Sequence, residues 1–129
     1  MGGSAKVGVG SAMKEFPAFM RQSANEIARS SQATPGVEGF VFDGIDGSQM
    51  AFWSCRESAA SVPHAHACDE YMMVVEGCYT LIIDGERIPV SAGQEYFIPR
   101  GLAHGGEVEA GTRTIHAFGG HRADRIQRP

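Results

Sequence analysis

The stretch His64-Ala65-His66-Ala67-Cys68-Asp69-Glu70 decides the reading of this chain. His64 and His66 stand two residues apart, so on a strand both side chains leave the same face and can share one metal ion. Glu70 has the same parity, yet four extended residues cover about 13 Å and metal–ligand bonds span only about 2.0–2.2 Å. A shared ion therefore requires the chain to bend at Ala67-Cys68-Asp69, where Asp69 is a good turn residue, so that Glu70 opens the next strand beside the pair. A competing arrangement is the alternating triple His64, His66 and Cys68, which a soft metal prefers.

Outward from this stretch, short β-branched and aromatic runs separated by turn residues extend from Gly36 nearly to the end. They predict strands over 37–42, 49–56, 62–66, 70–75, 78–83, 87–90, 94–98 and 112–118. Asp84-Gly85, between Thr80-Leu81-Ile82-Ile83 and Arg87-Ile88-Pro89-Val90, predicts a tight hairpin. Glycine is abundant, 17 of 129 residues, as many turns require. No period of 20–50 residues repeats and no helices intervene, which leaves an all-β sandwich or closed barrel.

Upstream, Met13, Phe16, Phe19, Met20 and Ile27 follow a helical stripe only in part. Ser23 with Glu26 resembles a capping box and predicts a short helix over 23–30. Pro17 favours an extended arm laid over a sheet, and both readings stand. The basic segment after Gly120 reads as a solvated C-terminus. The expected organisation is a tail with an arm or short helix over 1–36, a barrel over 37–120, and a C-terminal tail over 121–129.

One domain is expected from 129 residues, because compact domains cluster near 100 to 150. Such a chain builds a core without a disulfide or metal, so any metal serves chemistry. Apolar residues at 43% and charged residues at 20% exclude wholesale disorder. A net charge of -4 argues against nucleic acid as a partner. Met72 to Val75 and Leu81 to Ile83 fall far short of the about 20 residues of a membrane helix. Met1 to Gly10 lacks a signal-peptide apolar stretch and reads as a loose tail. Cys55, Cys68 and Cys78, three cysteines without a CxxC pair, fit a reducing, cytoplasmic compartment.

A second punctuated stretch runs Gly93-Gln94-Glu95-Tyr96-Phe97-Ile98-Pro99-Arg100-Gly101-Leu102-Ala103-His104. A strand ends at Pro99, a Pro-x-Gly turn follows, and His104 is presented just after it. Nothing local makes His104 a ligand. Together the two stretches resemble the motifs of the cupin superfamily, G-x5-H-x-H-x3,4-E-x6-G and G-x5-P-x-G-x2-H-x3-N. His64, His66, Glu70 and Gly77 match the first; Gly93, Pro99, Gly101 and His104 match the second. The chain departs at the leading glycine of the first motif, near Ser58 and Ala59, and at the final asparagine of the second, where Val108 stands. Neither position is a metal ligand in the family. The spacer of residues 78–92 has the short length of single-domain microbial cupins.

The resemblance implies a jelly-roll β-barrel of two antiparallel sheets with His64, His66, Glu70 and His104 around a divalent metal. Three imidazoles and a carboxylate suit Fe, Mn, Ni, Cu or Zn and disfavour Ca and Mg. On strand 112–118, Thr112, Thr114, His116 and Phe118 share one face. Turned inward, His116 is the candidate catalytic residue, as a general base or as an orienter of a metal ligand. Glu70 facing inward takes Met72 and Val74 with it, leaving Tyr71, Met73 and Val75 on the opposite face for a sheet or dimer contact. Met72, Trp53, Tyr79 and Tyr96 are candidate substrate-binding residues, with core packing as the alternative for the aromatics.

Two functions follow from the resemblance, beside a purely structural or interaction role. The first is a metal-dependent enzyme on a small polar metabolite, a keto acid, diol or sugar acid that chelates the ion, by dioxygenase, isomerase or lyase chemistry. The second is a non-catalytic module binding a sugar-like molecule. A homodimer is the expected assembly.

Overall fold

The computed structural model describes residue 8 and residues 10–128. The tail expected over Met1–Gly10 lies outside the described residues apart from Gly8 and Gly10. Among the described residues nine strands form: β1 (Val37–Asp43), β2 (Gln49–Cys55), β3 (Ala59–His64), β4 (Glu70–Glu76), β5 (Cys78–Ile83), β6 (Glu86–Ser91), β7 (Glu95–Ile98), β8 (His104–Val108) and β9 (Thr112–Phe118). They make a five-stranded sheet, β1-β2-β9-β4-β7, facing a four-stranded sheet, β3-β8-β5-β6. All the pairings are antiparallel. This is the expected jelly roll. Among the described residues no helix is long and apolar enough to cross a membrane.

The alternation expected of half-buried strands holds on β4 and β9. Glu70, Met72 and Val74 are buried, whereas Tyr71 is 36% exposed on the outer face. Thr112, Thr114, His116 and Phe118 are buried inward in the same way. At the β5–β6 hairpin, Asp84 and Gly85 both take positive φ, 52° and 77°, as a type I′ turn requires.

β8 is the strand that the sequence pattern does not predict. Its run His104-Gly105-Gly106-Glu107-Val108 carries two glycines, which lower strand propensity. The structure supplies the reason: a Cβ at Gly106 would collide with the Tyr79 ring, carried by the neighbouring strand β5. β3 also differs from its predicted span, beginning at Ala59 and ending at His64.

The interior holds two apolar clusters. One joins Ile27, Val41, Ala51, Trp53, Phe118 and Ala123, and the other joins Met72, Val74, Leu81, Val90 and Ile98. The first depends on both ends of the chain. The N-terminal segment is an arm with single 3-10 turns at Ala18–Met20, Ser23–Asn25 and Arg29–Ser31, not a helix over 23–30. Ile27, 1% exposed, plugs the cluster, and its N–H donates to the Gly39 carbonyl at 2.9 Å.

The expectation of a solvated C-terminal tail is corrected. Ala123 is fully buried. The Gln49 amide, 2% exposed, accepts the N–H groups of Arg122 and Ala123 at 2.7 and 2.8 Å and donates to the Ala123 carbonyl at 3.0 Å. The arm clamps the other side, with Ala28 N–H donating to Asp124 O at 2.8 Å and Ile126 N–H to Glu26 O at 2.9 Å. Burying one alanine and satisfying these backbone groups outweighs the solvation of a basic but short segment.

Candidate metal centre

β3 and β8 deliver two of the histidines. Their ladder sets His64 directly opposite His104, after a register shift between Ser61 and His64, where Pro63 has no N–H to give. Opposed residues share a face, and the two ring centroids are 4.4 Å apart. His66 arrives differently. β3 ends at His64, and the His66 carbonyl accepts the Gly101 N–H at 3.0 Å. A single strand face carrying both His64 and His66 is therefore corrected: the turn pinned to Gly101 aims His66. Its ring lies 4.8 Å from that of His64 and 5.3 Å from that of His104.

The bend expected at Ala67-Cys68-Asp69 is present. Asp69 ties it down, its side chain accepting the Arg100 N–H at 2.8 Å and its carbonyl the Gly119 N–H at 2.9 Å. Glu70 then opens β4. Cys68 takes no part in the histidine group and packs half-buried against the Ile27 and Trp53 cluster.

One ring nitrogen from each of His64, His66 and His104 lies within 4.8 Å of the others. A carbonyl only accepts, so His64 donates Nδ1–H to Val62 O at 2.8 Å and His104 donates Nδ1–H to Leu102 O at 2.9 Å. That tautomer leaves a lone pair on Nε2 of each ring, as metal ligation needs. Burial holds His64 below its ordinary value, which keeps its ring neutral at pH 7.

Glu70 completes the arrangement. Its Oε1 is 3.3 Å from His66 Nε2 and 3.7 Å from His104 Nε2, yet it accepts no hydrogen bond of proper geometry from any described residue and is buried. Its Oε2 accepts a 2.7 Å hydrogen bond from His116 Nδ1–H, and His116 Nε2 pairs with the Thr114 hydroxyl at 2.9 Å. Burial is the strongest single influence on Glu70 and opposes its charge. The His116 hydrogen bond and the nearby His66 ring together outweigh it and hold the carboxyl well below the usual range. A buried anionic oxygen with no partner is costly unless a cation or donor faces it. Three imidazoles and that oxygen are a donor set for a first-row transition ion, so these residues fit the group.

A cavity of about 60 Å³ lies against the four side chains. Met72, Leu81, Ile98 and Phe118 give it apolar walls, and Trp53, Tyr79 and His116 line it as well. Trp53 stands edge-on to His116, centroids 4.8 Å apart. Tyr96, a predicted lining residue, is corrected. It faces inward opposite Met72, but β7 is the edge of its sheet, and the ring packs on the Met72, Val74 and Ile98 cluster instead. Sequence reasoning missed Arg122 and the arm residues Gln32, Ala33 and Thr34, which line the cavity together with Thr114. Thr114 shares the inward parity of His116; the others reach the site only through long-range packing and have no local signal.

The comparisons agree with this architecture. The family model of the cupin domain matches residues 52–118. No curated protein matches the chain in sequence. Among solved structures, an RmlC-like cupin from Shewanella frigidimarina is 24% identical with a TM-score of 0.61, covering 67% of this chain and 78% of its own. The polyketide cyclase RemF from Streptomyces resistomycificus is 20% identical with a TM-score of 0.65, over 92% and 88%. A salicylate 1,2-dioxygenase from Pseudaminobacter salicylatoxidans is 14% identical with a TM-score of 0.60, over 65% of this chain and 26% of its own. At these identities the structures share the fold alone. With a family model spanning more than half of its length and both histidine motifs folded onto facing strands and turns, this chain belongs to the cupin domain family.

Proposed function

We propose that this cupin is a metal-dependent enzyme in which His64, His66, His104 and Glu70 hold a divalent transition ion, Fe, Mn, Ni, Zn or Cu. Its substrate is a small polar metabolite able to chelate that ion, and the reaction is of dioxygenase, isomerase or lyase type. One observation carries the reading: the buried Glu70 Oε1, unpartnered among the described residues, faces two nitrogens of a three-histidine cluster. When bound, the ion supplies Lewis acidity or, if it is iron, access to dioxygen.

The chain's own residues divide the remaining work. His116, hydrogen-bonded at both ring nitrogens, is a positioning residue that fixes Glu70. Met72, Leu81, Ile98 and Phe118 offer the ligand an apolar wall. A cavity of about 60 Å³, where one water needs about 10–15 Å³ of such space, has room for a ligand group of a few heavy atoms beside the four side chains. A cyclase and a dioxygenase share the fold and lend this reading a precedent for catalysis but no substrate.

The engagement of both His116 nitrogens favours one second reading. With His116 occupied, the cavity holds no imidazole outside the proposed ligands to act as a general base, which suits a module that binds its metabolite without turnover. Elemental analysis of protein purified without chelator, followed by oxygen-uptake and metabolite screens, tests both. About one ion per chain with turnover supports the enzyme, and one ion with binding alone supports the module. Substoichiometric metal, with no rise in thermal stability on adding Fe, Mn, Ni or Zn, overturns both.

A further inference from the structure

The C-terminal strap carries three arginines, and one of them differs from the others. Arg125 pairs with Asp43 at 2.8 Å and Arg128 with Glu26 at 2.8 Å. Arg122 forms no ion pair with any described residue, although it is half-buried and is, among the described residues, the one Lys or Arg lining the cavity. Its root is fixed, because its N–H is held by Gln49 and the next residue is fully buried. Its side chain is aimed inward. Nη1 donates to the Ser31 carbonyl, Nε–H points at His66 Nε2 from 3.3 Å, and the guanidinium carbon lies 5.8 Å from the Phe118 ring centroid. Nη2 donates to none of the described residues.

Among the described residues Glu70 is the one carboxylate that shares the cavity with Arg122, and the two make no ion pair or hydrogen bond. A half-buried guanidinium with its fork unfilled is costly, and the group that fills it best is a carboxylate gripped by two parallel N–H donors. We propose that Arg122 is the carboxylate anchor of this site and that its ligand is a small 2-oxo or 2-hydroxy acid, the second oxygen facing the histidine cluster. The inference rests on the metal-site reading above and narrows it from chelating metabolites in general to acids. A diol or neutral sugar leaves Arg122 unpaired. The Nε–H contact adds a consequence. The single lone pair on His66 Nε2 serves either Arg122 or an ion, so an ion on His66 releases Nε–H toward an incoming carboxylate.

The test is calorimetric titration of the full chain loaded with Zn²⁺, using lactate and pyruvate against the neutral lactamide and propane-1,2-diol. Fluorescence of Trp53, the chain's single tryptophan and part of the cavity wall, gives a second readout. The acids are expected to bind at least about tenfold more tightly than the neutral probes. Arg122→Gln should abolish that preference, Arg122→Lys should restore part of it, and zinc content should stay equal to wild type or rise. Acids binding no better than the neutral probes, or losing less than twofold in Arg122→Gln, overturn the proposal. Where Arg122→Gln does not fold, Arg122→Lys carries the comparison, an acid preference undiminished from wild type overturning the proposal. A wild-type chain that takes up no zinc overturns the metal-site reading instead. Acid selectivity that persists in that chain and needs Arg122 leaves the anchor standing.

Discussion

Glu70 and His116 meet diagonally across the β4–β9 ladder, where Glu70 lies opposite Phe118 and His116 opposite Met72, and their side chains share a 2.7 Å hydrogen bond. The bond occupies one carboxylate oxygen and turns the other toward His66 and His104. His116→Ala should release Glu70 and lower zinc affinity by about 10–100-fold, the usual cost of losing a residue that orients a ligand. Glu70→Gln should cost at least as much. Competition with a chromogenic chelator measures both. An unchanged affinity in His116→Ala removes its positioning role.

His104 tests the cluster itself. It belongs to neither apolar cluster, so His104→Ala should fold and show the β-rich circular dichroism of wild type. Its zinc affinity should fall by more than about 100-fold, beyond the range expected of a merely supporting residue. Loss of folding in this variant shows that the ion is structural.

Cys55 offers a pH dependence independent of the proposed ligands. Burial pushes its thiol up to about 11 from 9.0. Below pH 9 the folded and unfolded chains both keep the proton. Between about 9 and 11 the unfolded chain gives it up and the folded chain retains it, so stability falls as pH rises through that window. Urea midpoints at pH 8 and pH 10.5 measure the fall, which should shrink in Cys55→Ala. Burial pushes Tyr79 the same way, and it keeps part of the decline in the variant. Native protein at pH 8 should leave Cys55 unmodified by thiol reagents, because the reactive thiolate is scarce.

What the sequence made legible depended on range. The parity of Glu70, Met72 and Val74, and of Thr112 through Phe118, is a local property of extended chain, and the structure keeps it. The bend at Asp69 follows from bond lengths once Glu70 is required to reach the histidine pair, with Asp69 as a good turn residue. His66 was aimed wrongly because its contact with Gly101 joins two turns that no periodicity relates. β8 was missed because Gly106 answers to the Tyr79 ring on another strand rather than to strand propensity. Tyr96 was placed by its residue type, whereas its position on an edge strand decides what it touches. Arg122 was invisible as a site residue because Gln49, on the second strand, holds its backbone in place.

That strap can be tested directly. Gln49→Leu keeps the volume roughly constant but leaves the N–H groups of Arg122 and Ala123 and the Ala123 carbonyl without their partner. Each buried group left unsatisfied costs about 1–3 kcal/mol, and release of the tail lets some of them reach water. A net loss of about 3 kcal/mol is therefore expected, a fall in Tm on the order of 10 °C for a domain of this size. The tail should then exchange its amide hydrogens quickly at Ala123 while β4 and β9 remain protected. Because Arg122 moves with the tail, the variant should also lose its preference for lactate over lactamide while retaining zinc. A variant that keeps both its stability and its acid selectivity shows that Arg122 is placed by its own side-chain contacts, with the Gln49 clamp incidental.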